Sequence, residues 1–222
     1  MNIDYILESE TESTGQAFIT VDAQGQNTIY VYGGANMAIT PEDVVSAKEA
    51  ITQADFIVAQ LEVPVPAIIE AFKVARAAGV TTVLNPAPAK ELPQELLELI
   101  DVIVPNEFEA EILSGTPVTD EASMAQNANY FLGLGAKVVI ITLGEQGTYY
   151  AVENDSGLVP AQKVKAIDTT AAGDTFIGAF VSRFNMEERN LVEAIDFANK
   201  AASLTVQKSG AQASIPLAEE VE

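Results

Sequence analysis

The chain has 222 residues, enough for one large domain or two small ones at roughly 100–200 residues each, and for a sizeable core. It carries 32 Asp and Glu against 11 Lys and Arg, a formal net charge of −21, with no Cys and no His. That balance disfavours nucleic acid and anionic membranes as partners; the two missing residue types exclude disulfides, thiol nucleophiles, Cys/His zinc sites and a histidine base.

The opening MNIDYILESETES is acidic and lacks a basic then apolar leader. No apolar run approaches the ~20 residues of a membrane helix, so the expected compartment is the cytoplasm. Phe18–Val21 and Thr28–Tyr32 read as a hairpin around the turn DAQGQN. Thr40 is a candidate N-cap for a helix over PEDVVSAKEAI, with Pro41 at its first position. Phe56–Ala59 is a short buried strand. Pro64–Ala78 has helical spacing and stops at Gly79. Thr81–Leu84 is a strand broken by NPAPA; Gln94–Ile100 is a short helix; Val102–Val104 is a strand.

Pro105 and Asn106 open a helix bearing Glu107, Glu109 and Glu111, and Glu121–Leu132 forms another. KVVIIT, residues 137–142, is apolar without alternation, as in a parallel sheet covered on both faces. Tyr149–Val152 and Val159–Val164 read as strands joined by ENDSG. Helices over about Gly173–Phe184 and Leu191–Gln207 close the chain. Strands alternating with helices give an α/β fold with a mainly parallel sheet, read as a single domain with a small hairpin appendage. Ligands of such sheets sit beyond the carboxyl ends of the strands. That groups NPAPA, PNEFE, TLGEQG and the segment before Gly173.

DTTAAGDTFIG, residues 168–178, is the strongest chemical segment. Small residues allow close backbone approach, and the first N–H groups of a helix attract anions. Gly173 and its neighbours are thus candidates for a phosphate cradle, with Asp174 at its mouth to accept a proton from an attacking hydroxyl. Asp174 also reads as a helix cap, and Asp168 as an Asx-turn residue. ITLGEQG, residues 141–147, offers a glycine loop near a nucleotide or an ordinary turn between strands. Asn106 with Glu109 reads either as a capping pair or as an organiser of Mg²⁺ and its waters. Glu62 is a sugar-hydroxyl acceptor or a surface acid. KSGAQAS, residues 208–214, is a monovalent-cation loop or a plain post-helix loop. Neither a Walker A sequence nor G-x-G-x-x-G after a strand occurs.

Together and in this order, DTTAAGDTFIGA, QLEVP, LNPAPA, PNEFEAEILSG, VVIITLGEQGTYY and GAQASIP resemble the ribokinase-like (PfkB) carbohydrate kinases, from about Gly15 to the C-terminus. The resemblance implies a ribokinase-like three-layer α/β sandwich over residues 1–222, with 14–36 a lid-type hairpin and 37–222 a nucleotide-binding core. It implies phosphoryl transfer from MgATP to the 5-hydroxyl of D-ribose, with Asp174 as base and the Ala171, Ala172 and Gly173 backbone as anion hole. By the same resemblance Asn106, Thr142, Leu143, Gly144, Glu145, Gln146, Gly147, Gly173, Asp174 and Asn199 would contact ATP. Glu62 and Asp174 would contact the sugar. Glu109 would serve Mg²⁺. Asp168, Thr170, Thr205, Lys208, Gly210 and Ser214 would surround K⁺, which acts by ordering the anion-hole loop.

Family members carry a further N-terminal segment with the first strand, much of the lid, an Asn-x-Asp motif and a Gly-Gly-rich sugar motif. Gly33-Gly34 follows the hairpin and does not take that role. The chain is therefore expected to be N-terminally incomplete, with an exposed sheet edge that favours homodimers or self-association. A catalytically impaired nucleotide-binding fragment, or a related kinase for another sugar or a nucleoside, are the competing expectations.

Overall fold

The computed structural model describes residues 2–21, 27–188 and 190–222. Residues 22–26 of the expected DAQGQN turn lie outside the described residues. Two compact units make up the chain, Met1–Asp101 and Val102–Glu222.

In the first unit, β1 (Gln16–Val21) and β2 (Asn27–Tyr32) form a two-stranded antiparallel ribbon. Phe18 pairs with Tyr30 across it, and both are exposed. α1 (Pro41–Ser46) starts as expected, with Thr40 and Asp43 exchanging side-chain and backbone bonds in a capping box. The single helix expected over 41–51 breaks at Ala47, and α2 (Lys48–Thr52) follows. The Ser46 hydroxyl bonds back to the carbonyls of Glu42 and Asp43, a local competitor of the helical ladder. β3 (Phe56–Gln60) and β4 (Thr81–Asn85) pair in parallel, joined by α3 (Val65–Ala77). α3 buries Ala67, Ile68, Phe72 and Ala75 and ends before Gly79, whose φ of +80° suits glycine. α4 (Gln94–Leu97) is shorter than expected, because its last turn tightens to three-residue bonds at Leu99 and Ile100.

In the second unit, β5 (Val102–Ile103) pairs in parallel with β6 (Val138–Thr142). α5 (Glu107–Ser114) and α6 (Glu121–Gly133) form the crossover between them. β6, β7 (Thr148–Val152) and β8 (Asp155–Val159) continue as an antiparallel meander. The strand expected at Val159–Val164 is corrected: it runs five residues from Asp155 and turns on Glu153–Asn154 alone. Pro160 has no N–H for the ladder and ends it. α7 (Ala172–Arg183) and α8 (Leu191–Thr205) pack on each other, and α9 (Ala218–Val221) closes the chain. The α7–α8 interface is apolar and aromatic. Phe176, Phe180 and Phe184 stack in series at 6.4 and 4.7 Å against a face of α8 that buries Leu191, Ala194, Ile195, Ala198 and Ala201. Phe180 alone, fully buried, is worth about 1.5–3 kcal/mol. That interface fixes the axis of α7, whose first turn is the chemically interesting end.

Candidate active site

After β8 the chain runs without regular structure to residue 171. Two ties anchor it. The N–H groups of Ile167 and Asp168 both donate to the Val206 carbonyl, at 2.7 and 3.2 Å. Asp168 Oδ1 accepts the Thr170 N–H at 2.9 Å, and Oδ2 accepts the Gly210 N–H at 3.0 Å. The Thr170 hydroxyl first, then the Gly210 and Thr170 N–H groups, hold the Asp168 carboxyl down at about 2.

Ala171 follows with φ 60° and ψ 12°. Among the described residues it is the one non-glycine with positive φ. This left-handed conformation costs roughly 1–2 kcal/mol for an L-residue, and such strain persists only where the surroundings over-determine it. The turn feeds directly into α7. Ala172 N–H donates to Thr169 O at 3.3 Å, and Thr175 N–H to Ala171 O at 2.9 Å.

Ala171 at the cap position gives the helix start no side-chain hydrogen bond, and the first N–H groups of a helix have no intrahelical partner. Gly173 and Asp174 are exposed. A Cβ built at Gly173 would meet no atom within 4 Å, so packing does not demand glycine there. The result is an open, partially positive helix end with a carboxylate in its first turn. It can hold an anion and accept a proton beside it.

Behind that turn stands the end of α8. The Thr205 hydroxyl lies 3.1 Å from the Thr175 hydroxyl and 3.2 Å from the Ala201 carbonyl. Of the six residues expected around a monovalent cation, Asp168, Thr170 and Gly210 meet directly through the Asp168 carboxylate. Thr205 joins the same region through Thr175. The Ser214 hydroxyl instead donates to Ala211 O at 2.6 Å, and the Lys208 ammonium reaches Glu220 at 3.4 Å.

A second group sits at the carboxyl ends of β5 and β6. Thr142 N–H donates to Pro105 O at 3.0 Å, and Asn106 bridges Thr142 in parallel. Asn106 and Glu109 close a capping box: Glu109 N–H donates to Asn106 Oδ1 at 2.8 Å, and Asn106 N–H to Glu109 Oε2 at 2.9 Å. Burial pushes the Glu109 carboxyl up, the Asn106 N–H opposes this, and Glu107 adds to it.

In the loop after β6, Leu143 N–H donates to Gly147 O at 2.8 Å, leaving Gly144, Glu145 and Gln146 exposed. The two glycines differ. Gly144 faces open space, whereas a Cβ on Gly147 would stand 2.2 Å from Val159 O. Gly147 is therefore required by the close approach of the post-β8 backbone. Asn199 is buried, and its amide is engaged inside the unit. It accepts from the Thr148 hydroxyl at 2.7 Å and donates to Val159 O at 3.1 Å. The structure thus makes Asn199 a brace between α8 and the β7–β8 hairpin.

Glu62 belongs to the first unit, exposed just after β3. Its neighbour Leu61 is tied to the loop after β4: Leu61 N–H donates to Ala87 O at 2.8 Å, and Lys90 Nζ to Leu61 O at 3.0 Å. Thr148 and Thr175 are residues that sequence reasoning passes over. Each directly follows a singled-out residue, and adjacency is the one signal available.

Among the described residues no cluster of three or more carboxylates could hold a metal ion, and no helix is long and apolar enough to cross a membrane.

Comparison with known proteins adds three findings. The sequence pattern of the pfkB family carbohydrate kinase matches residues 1–218. The ribokinase of Staphylococcus aureus (strain COL) is 70% identical over 221 residues, covering 100% of this chain and 73% of that protein. The solved structure of Arabidopsis thaliana ribokinase complexed with ribose and ATP matches with a TM-score of 0.86 at 32% identity, over 95% of this chain and 69% of that one.

Proposed function

This chain belongs to the pfkB family of carbohydrate kinases, and we propose that it transfers the γ-phosphoryl group of ATP to the 5-hydroxyl of D-ribose. The fold is the ribokinase-like α/β fold. The observation that carries the proposal is the open start of α7, where the strained Ala171 turn presents Gly173 unobstructed beside the exposed Asp174. The high identity to a ribokinase supports ribose as the acceptor.

In this mechanism the Asp174 carboxylate takes the proton of the sugar hydroxyl as its oxygen attacks the γ-phosphorus in line. The leaving oxygen departs with ADP. Charge growing on the equatorial oxygens is met by the backbone N–H groups of Ala171, Ala172 and Gly173, with the Ala172 N–H leaving its 3.3 Å bond to Thr169 O for the phosphate. Asn106, the 142–147 loop and the brace at Asn199 order the nucleotide side of the site. Glu62 accepts from a sugar hydroxyl.

The donor set suits a magnesium ion that arrives with the nucleotide. With no carboxylate cluster among the described residues, phosphates and water would supply most of its ligands, and Glu109 the protein carboxylate. A magnesium ion bound there would supply neutralisation of phosphate charge. A monovalent cation near Asp168 is carried by the family resemblance, and its part would be to order the loop entering α7.

The test is ribose-dependent ADP formation by the purified chain with MgATP and K⁺, against Asp174→Asn. Turnover that falls at least about 100-fold in the variant is the expected result. A wild-type chain without ribose-dependent turnover overturns the proposal. Varying the acceptor in the same assay reads out a preference for another sugar or a nucleoside.

A further inference from the structure

We propose that Thr175 and Thr205 are a positioning pair, locking the strained turn at Ala171 and thereby aiming Gly173 and Asp174. The role rests on the reading of α7 as the phosphoryl-transfer site.

A left-handed alanine must be held from both sides. Before the turn, the holding contacts are Ile167 and Asp168 to the Val206 carbonyl, and Asp168 to the Gly210 N–H. After it, the contact is Thr175 to Thr205. All of these partners lie between residues 205 and 210, so one short stretch at the end of α8 grips both flanks.

The flanking ties differ in surroundings. Ile167 is exposed and Asp168 half-buried, whereas Thr175 and Thr205 are 5% and 0% exposed. A hydrogen bond between two buried hydroxyls is not in competition with water. Thr205 also lies 3.2 Å from Ala201 O. The Thr205 hydroxyl thus donates its one proton toward both the Thr175 hydroxyl and the Ala201 carbonyl, and ties the first turn of α7 to the end of α8. Thr175 is buried and adjacent to Asp174, so it acts through the carboxylate's placement rather than by touching substrate.

The experiment compares Thr175→Val, Thr175→Ser, Thr205→Val and the double valine variant in steady-state assays with ribose and MgATP. Amide hydrogen exchange is followed at residues 172–176. Valine keeps the shape and a similar helix propensity. The lock predicts a kcat about tenfold lower in Thr175→Val, with both KM values within twofold, and wild-type kcat in Thr175→Ser. It predicts a double variant no slower than the slower single one, because one interaction is lost once. Unchanged kcat in Thr175→Val, failure of serine to restore it, or additive losses in the double variant each overturn the lock. A Thr175→Val chain that does not fold passes the same readings to Thr205→Val. If the wild-type chain has no turnover, the proposed function fails, and exchange alone decides the lock. Faster exchange at Gly173 and Asp174 in Thr175→Val than in Thr175→Ser supports it; equal exchange overturns it.

Discussion

Two helices of the second unit begin in opposite ways. α5 closes its own start: Asn106 and Glu109 satisfy each other's N–H groups, so what it offers a ligand is side-chain oxygen rather than backbone N–H. α7 leaves its start open: Ala171 at the cap position gives no side-chain hydrogen bond, that residue is strained, and a Cβ on Gly173 would meet no neighbouring atom within 4 Å. A helix that caps itself gains about 1 kcal/mol of stability and has fewer donors to offer. A helix that forgoes the cap and accepts strain keeps its donors for a ligand. The contrast separates a terminus whose donors are satisfied within the chain from one that leaves donors for a ligand, without appeal to motif.

The largest effect that could break this contrast is at Asp174. If the residue were merely an acid at a helix start, Asp174→Asn would lose roughly 0.3–1 kcal/mol of dipole stabilisation and leave the rate alone. The open-site reading expects the reverse, a kcat at least about 100-fold lower with a melting temperature within a few degrees. Kinetics and thermal melts on the same samples decide. The next effect is at Gly173, whose backbone is not left-handed. Gly173→Ala should leave the fold as stable or stabilise it by up to about 1 kcal/mol, while its methyl obstructs the anion and lowers kcat/KM about tenfold. Full activity in this variant would show that nothing approaches the turn.

Much of this was legible in the residues. Thr40-Pro41, the stop at Gly79, the apolar KVVIIT strand and the two closing helices follow from local rules, because caps, breakers and periodicity act over a few residues. The misreadings have physical causes too. Ser46 diverts backbone acceptors within an otherwise helical stretch. Val159–Val164 has the composition of a strand but begins where Pro160 withdraws a donor. In the site, the small-residue run and Asp174 were visible, whereas the left-handed Ala171 was not, because alanine carries no preference for it. Thr175 and Thr148 were hidden more deeply. Their partners lie 30 and 51 residues away, and a threonine that locks a helix looks like any other threonine until the chain is folded.

Smaller effects sharpen the contrast through pH, because the acids attached to the two helix starts titrate in opposite directions. Ahead of α7, Asp168 is depressed to about 2 from an ordinary 3.8 by the Thr170 hydroxyl and the Gly210 N–H. A depressed acid contributes stability above its unfolded value, and loses it as pH falls through the folded one. Asp168→Asn should therefore melt lower than wild type at pH 6, with the gap closing between pH 4 and about 2. Overlapping melts at pH 6 would remove Asp168 from the set of ties that hold Ala171.

Glu109, at the start of α5, has the opposite sign and the smallest expected effect. Burial raises its carboxyl above the ordinary 4.5, more than the Asn106 N–H lowers it. The folded state then holds its proton more tightly than the unfolded chain does. The contribution is fully favourable below about pH 4.5 and is lost as pH rises through the folded value. At neutral pH the charged, half-buried carboxylate is a burden on the fold. Glu109→Gln keeps an oxygen to accept the Asn106 N–H and removes the charge. It should melt about one or two degrees higher than wild type at pH 7, with the advantage shrinking toward pH 4. A variant that melts lower at pH 7 would mean the ionised carboxylate stabilises α5, as a helix-start charge does, and that the opposition between the two helix starts does not extend to their acids.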